Sequence, residues 1–137
     1  MSQVTKIDHP LVEHHLCTVR DASTKSPAFR ESVQRLSVLV GVYATEDLAV
    51  EPTIVRTPLA EAEGHRLSVR IALVPILRAG LGMVEPLQDL LPDASVWHLG
   101  LYRNEETAEP VDYYDKLPTT GAPNVAMVVD PMLATGG

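Results

Sequence analysis

The residues Val69-Arg70-Ile71-Ala72-Leu73-Val74-Pro75 form a near-continuous apolar run, and this run most constrains the fold. A strand buried on one face alternates apolar and polar residues, whereas a strand buried on both faces does not. Residues 69–75 therefore read as a central strand of a parallel sheet covered on both faces. The chain continues Ile76-Leu77-Arg78-Ala79-Gly80-Leu81-Gly82, and residues 80–91 carry a helical pattern stopped by Pro92. Residues 95–101 predict another strand, with Trp97, Leu99 and Leu101 on one face, and residues 125–130 predict the last. Strand, helix, strand and a further strand ending in a loop predict an α/β fold built on a parallel sheet.

Ahead of this core, Pro10 stands where a first-turn proline belongs, and Leu11, Val12, Leu16 and Val19 share a face. A helix is predicted over residues 10–20. Ser26 as N-cap and Pro27 behind it open a second helix, in which Phe29, Val33, Leu36 and Val40 recur at helical spacing. It is predicted to run to residue 42 or onward to residue 48, with Pro52 ending it. Residues 53–57 predict a short strand, and the polar residues 61–65 its hairpin turn. Residues 103–118 are acidic and polar and contain Pro110 and Pro118, which suits a solvated excursion. A chain of 137 residues predicts one domain. Residues 1–50 would form a helical N-terminal extension, and residues 51–137 the sheet core with a polar arm at 103–118.

The charge balance excludes several partners. Eleven Lys and Arg against eighteen Asp and Glu give a net charge of −7 without a basic stripe, so nucleic acid and anionic membrane are not expected. A polyanionic ligand would have to be drawn in by placed arginines, backbone N–H groups and a divalent cation. The lone Cys17 permits no intrachain disulfide and points to a reducing compartment. No signal-peptide core and no run long enough to cross a bilayer is present, and a soluble cytoplasmic protein is expected.

Three segments carry possible chemistry. In Asp130-Pro131-Met132-Leu133-Ala134-Thr135-Gly136-Gly137 a buried strand delivers a carboxylate and then a glycine pair. Glycines without Cβ let backbone N–H groups approach an anion, Thr135 adds a hydroxyl, and Asp130 can accept hydrogen bonds from sugar hydroxyls. On spacing alone, a ribose-phosphate cradle and an ordinary tight turn explain this segment equally well. In the second segment a strand feeds Arg78 and two glycines before a helix, so Arg78 can pair with phosphate oxygens. Close helix-to-sheet packing explains Gly80 and Gly82 as well. Glu85 stands where a dinucleotide fingerprint would need its third glycine, which argues against a nicotinamide or flavin site. The third segment is Tyr102-Arg103-Asn104-Glu105-Glu106-Thr107. It is either a mobile arm carrying a cation onto a diphosphate or a solvated hairpin whose acids neutralise Arg103, and the residues alone favour the hairpin. His14 and His15 point in different directions on a helix, His98 reads as a packed strand residue, and no cluster has zinc-ligand spacing.

Together with His9-Pro10-Leu11-Val12 and Phe29-Arg30, these segments resemble uracil phosphoribosyltransferases in the family's order over nearly the whole chain. Val74-Pro75-Ile76-Leu77-Arg78-Ala79-Gly80-Leu81-Gly82-Met83 and Asp130-Pro131-Met132-Leu133-Ala134-Thr135-Gly136-Gly137 are the specific runs. Most other phosphoribosyltransferases carry a second acid where Pro131 stands. The resemblance implies a type I phosphoribosyltransferase fold and transfer of ribose 5-phosphate from phosphoribosyl diphosphate to uracil, giving UMP and diphosphate with Mg²⁺. It implies that Arg78 and Arg103 hold the diphosphate, Asp130 the ribose hydroxyls, and residues 132–137 the 5-phosphate, with Pro131 also in the phosphoribosyl diphosphate site and Asp130 and Arg103 as the catalytic pair. No protein side chain is expected to ligate the metal. A homo-oligomer, in which the apolar N-terminal helices could serve as contacts, and GTP as an activator of some members are further implications.

The sequence also departs from the family. Val42-Tyr43-Ala44-Thr45 stands where the family has Tyr-Glu-Ala-Thr. The family's Gly-Asp-Ala loop, which recognises uracil, would follow Gly137, so the uracil contacts have no residue here. The chain is thus expected to be the N-terminal portion of such an enzyme, without turnover by itself. Two alternatives stay open: a non-catalytic nucleotide-binding or regulatory protein on the same scaffold, and an α/β scaffold whose loops bind no phosphate.

Overall fold

The computed structural model describes residues 4–104, 107, 109–115, 117–118 and 120–132, with only the backbone at Arg103. Helix α1 (Pro10–Arg20) begins on Pro10, and the Nδ1 atom of its capping residue His9 accepts a hydrogen bond from the Leu11 amide at 3.1 Å. Helix α2 (Ser26–Ala44) begins one residue earlier than expected: Lys25 is the cap, and it makes no side-chain cap bond. Nor does Pro52 end it. Thr45 does so, its hydroxyl donating toward the carbonyls of Gly41 and Val42 at 2.8 and 3.1 Å.

Pro52 instead lies in β1 (Val50–Arg56), which pairs antiparallel with β2 (Glu61–Leu67). The turn between them is residues 57–60, where the Thr57 amide and hydroxyl donate to the Ala60 carbonyl at 2.9 and 2.6 Å. Residues 61–65, expected as the turn, are strand. Polar residues read as a turn because turns are usually polar, but a two-stranded ribbon exposed on both faces needs no apolar stripe.

Strand β3 (Ile71–Leu77) is central, as its composition predicts. On one edge it pairs in parallel with β7 (Val125–Val129), Ile71 opposite Val125 and Pro75 opposite Val129. On the other edge run β4 (Ser95–Val96) and β5 (Leu99–Arg103), both parallel to β3. The single strand expected over 95–101 is thus interrupted at Trp97 and His98; the Trp97 amide bonds to the Leu73 carbonyl at 2.9 Å. Strand β6 (Pro110–Asp115) lies antiparallel beside β5, so the polar excursion is a β-hairpin arm. Helix α3 (Leu81–Leu90) connects β3 to β4 and covers one face of the sheet. Ile71, Leu73 and Val129 meet Leu87, Leu91 and Ala94 there to form the core. On the opposite face Ala72 and Val74 are buried, but Val128 of β7 is 63% exposed, so that face is covered at β3 and bare at β7.

The helices stack outward from the sheet, α2 on α3 and α1 on α2. The apolar positions of α2 are not its buried ones. Phe29 and Val40 are exposed, whereas Ser32, Ser37 and Gly41 are buried, and Ser37 donates its hydroxyl to the Val33 carbonyl at 2.8 Å. Small residues let α3 approach closely: a Cβ at Gly41 would sit 2.5 Å from Leu87 Cδ2 and 3.1 Å from Leu90 Cδ2. On α1, the His14 and His15 rings meet edge to face with centroids 5.0 Å apart, despite their different headings on the helix. Burial, then the neighbouring His14 and Arg35, hold His15 below the usual histidine range.

Gly41→Val should therefore destabilise the fold by about 1–3 kcal/mol through overpacking of α2 against α3. Chemical denaturation followed by circular dichroism measures this. An unchanged midpoint would show that the two helices are free to separate.

Candidate functional site

The carboxyl ends of β3, β5 and β7 define one rim of the sheet, the place where parallel α/β folds hold ligands. Strand β3 ends at Leu77, and residues 78–80 turn the chain into α3. The turn is tight. The Gly80 amide donates to the Ile76 carbonyl at 2.8 Å, and the Leu81, Gly82 and Met83 amides reach back to Arg78, Ala79 and Gly80 at 3.2, 3.3 and 3.0 Å. The Leu77–Arg78 peptide is cis. Arg78 is exposed at the crest of the turn, beside the positive end of the α3 dipole.

Gly80 explains how this turn meets the next strand. A Cβ there would collide with the Val129 carbonyl oxygen and lie 2.8 Å from the Ile76 nitrogen. Gly80 is buried against the last residue of β7, and Asp130 follows at once. Gly82, by contrast, has open space around it, so close packing accounts for Gly80 only. The turn carrying Arg78 and the strand end carrying Asp130 are therefore in contact on the same rim.

Asp130 is exposed, and its Oδ1 accepts the Met132 amide at 3.0 Å, which curls Pro131 and Met132 over the strand end. Leu133, Ala134, Thr135, Gly136 and Gly137, expected to complete the cradle, lie outside the described residues. Arg103 closes β5 opposite Pro110. Gly100 of β5 pairs with Leu77, so Arg103, three residues further, stands about 10 Å past the end of β3 along the strand. The arm thus carries Arg103 past the end of β3 on the same rim, and its side chain is not described. Glu105 and Glu106, expected to neutralise it, lie outside the described residues.

Two cavities flank the sheet. One of about 300 Å³, lined by Arg70, Leu91, Asp93 and Trp97, sits at the amino ends of the strands, away from Arg78 and Asp130. The other, about 660 Å³, reaches Asp130 and Pro131 from between α1 and α2. Val12, Leu16, Val33 and Leu36 give it apolar walls, and Lys6 and Arg20 join it. Sequence reasoning passed over these two cations, whose only signal was their place at either end of an apolar helix face. Among the described residues no group of three His, Cys, Asp or Glu side chains could hold a metal ion.

The sheet order, the covering helix and the Arg78 turn beside Asp130 on one rim fit a phosphoribosyltransferase-like fold. The structure of the AQ2163 protein from Aquifex aeolicus matches 98% of this chain and 65% of that one, with a TM-score of 0.89 and 36% sequence identity. Curated uracil phosphoribosyltransferases from Roseiflexus sp. (strain RS-1) and Alkaliphilus oremlandii are 54% and 50% identical over the whole of this chain. The chain spans 66% of the length of each of those relatives. The family model described as uracil phosphoribosyltransferase matches residues 6–137. The chain belongs to the uracil phosphoribosyltransferase family.

Gly80→Ala should lower stability by about 1–3 kcal/mol, because the colliding atom is a backbone oxygen that cannot swing aside. Thermal melting of the variant against the parent chain tests this. An equal melting temperature would mean that the turn and β7 are not locked together.

Proposed function

We propose that this protein serves the transfer of ribose 5-phosphate from 5-phosphoribosyl 1-diphosphate to uracil, yielding UMP and diphosphate. The observation that carries the reading is the contact between Gly80 and Val129. In a chain of this family, it sets the Arg78 turn directly beside Asp130.

In this reading Arg78 and Arg103 hold the diphosphate, Asp130 accepts hydrogen bonds from the ribose hydroxyls, and residues 132–137 surround the 5-phosphate. The bond from the anomeric carbon to diphosphate breaks as the bond to the uracil ring nitrogen forms, and the proton on that nitrogen passes to the solvent or the departing diphosphate. Positive charge gathers on the sugar and negative charge on the departing diphosphate. Fixed cations and N–H groups at the leaving group lower the barrier without a covalent nucleophile. In this reading Mg²⁺ would come with the diphosphate substrate, as the family resemblance implies, and would neutralise part of its charge.

Assembly belongs to the same proposal. The β1–β2 ribbon packs chiefly on itself, with Ile54 62% and Leu59 98% exposed. An isolated two-stranded ribbon is marginal in water, so its exposure supports a homo-oligomer in which a second copy covers it. Activation by GTP rests on the family resemblance alone. A cytoplasmic location rests on the acidic composition and lone cysteine.

Calorimetry with phosphoribosyl diphosphate and Mg²⁺ tests the site. The protein should bind, and Arg78→Ala and Asp130→Ala should each weaken binding by roughly tenfold or more, the scale of one charge-assisted contact. Absence of binding would overturn the assignment. On the full-length gene product, diphosphate release should depend on uracil. Use of adenine, guanine or orotate in its place would refute the substrate, and binding without turnover would favour a non-catalytic nucleotide-binding protein.

For the assembly, sedimentation should show an oligomer that Ile54→Arg with Leu59→Arg drives toward monomer. A monomeric parent, or an unshifted variant, would refute the role of the ribbon.

A further inference from the structure

We propose that the β-bulge at Tyr113, seated on Gly100, is the positioning device that aims the arm carrying Arg103 at the rim. The proposal rests on the functional reading above. The β5–β6 ladder pairs Leu99 with Asp115 and Gly100 with Tyr114, then Leu101 with Asp112, so Tyr113 is an extra residue. Below the bulge, Leu99 and Gly100 are anchored to Ile76 and Leu77 of β3. Above it, the ladder continues through Tyr102 opposite Val111 to Arg103 opposite Pro110. A bulge bends and twists the strands that carry it, so the heading of everything beyond this point is set here.

Gly100 makes the bulge possible. A Cβ on it would lie 2.7 Å from Tyr114 Cβ, 2.8 Å from Tyr113 Cζ and 2.9 Å from Tyr113 Cε2. The first of these atoms is fixed to the β6 backbone, so an added methyl would force the two strands apart. The Tyr113 ring lies across the glycine and meets Tyr102, with centroids 6.1 Å apart and planes inclined by 47°. Tyr102 is the residue before Arg103. Gly100 thus stands in one row between Leu77, which precedes Arg78, and Tyr114 of the arm. The row couples the two arginine-bearing segments through backbone pairing.

The experiment measures phosphoribosyl diphosphate affinity by calorimetry in a mutant cycle, with melting temperatures recorded for every variant. Arg103→Ala sets the scale, a weakening of about tenfold. Gly100→Ala and Tyr113→Ala should weaken binding to a similar degree, and Tyr113→Phe should stay within about twofold of the parent, since the ring and not its hydroxyl fills the seat. Gly100→Ala combined with Arg103→Ala should bind no more weakly than Arg103→Ala alone, whereas Gly100→Ala combined with Arg78→Ala should be additive. Should Gly100→Ala fail to fold, the same cycle with Tyr113→Ala, whose ring is 54% exposed, decides the matter. Parent-like affinity in both Gly100→Ala and Tyr113→Ala, or additivity with Arg103→Ala, would overturn the proposal. A parent chain that binds no phosphoribosyl diphosphate would instead overturn the functional reading on which it stands.

Discussion

The parallel pairing of β3 with β7 is the constraint on which the rest of this structure depends. At the amino rim, the Arg70 amide donates to Asn124 Oδ1 at 2.8 Å, the Arg70 guanidinium reaches the Ala122 carbonyl at 2.9 Å, and the Asn124 amide returns to the Arg70 carbonyl at 2.9 Å. At the carboxyl rim, Gly80 closes on the Val129 carbonyl. The register is thus held at both ends. A slip of one residue would move Asp130 about 3.3 Å along the strand and turn its side chain to the other face of the sheet. The core would fail with it, because Leu73 and Val129 would no longer meet Leu87 on the same face.

What could be read from the residues follows from how local each cause is. The central strand was legible because burial on both faces writes itself as an unbroken apolar run, and α1 because Pro10 marks its first turn. The placement of Gly80 was half legible: a glycine after a buried strand signals a close approach, but not to which atom. The buried face of α2 was hidden, since Ser32, Ser37 and Gly41 are chosen by the nearness of α3 rather than by their own hydropathy. Strand β6 was hidden for a related reason. Val111, Tyr113 and Tyr114 are strand formers, but their polar and acidic setting read as solvent, and only pairing with β5 makes them a ladder.

The net charge of −7 bears on how a polyanion would reach the rim. A uniformly acidic surface repels such a ligand at long range, but screening confines that repulsion to within about 8 Å at physiological salt. Inside that distance the local groups decide. Arg78 sits on the crest of a turn at the positive end of α3, where guanidinium and helix dipole have the same sign. On the proposed reading, Arg78, Arg103 and oriented amides would supply the affinity, and the overall acidity would work against non-specific polyanions such as nucleic acid.

The rim divides into a half locked by backbone contact and a half carried on an arm, and the division has a chemical consequence. Arg78 and Asp130 rise from strands locked together by backbone contact around a buried glycine, so their separation is a property of the sheet. Arg103 stands on a two-stranded arm that, among the described residues, pairs with β3 through Leu99 and Gly100, with Tyr102 and Tyr113 more than half exposed beyond. On the proposed reading, the site would have to admit a diphosphate ester, exclude water while charge separates and release two anions, which a site rigid all round could not do. Stabilising a developing charge demands fixed donors, whereas entry and exit demand a part that moves. On that reading, one arginine on the sheet and the other on a bulge-bent arm would meet both demands with a single fold, because the row through Leu77 and Gly100 joins the halves at their base.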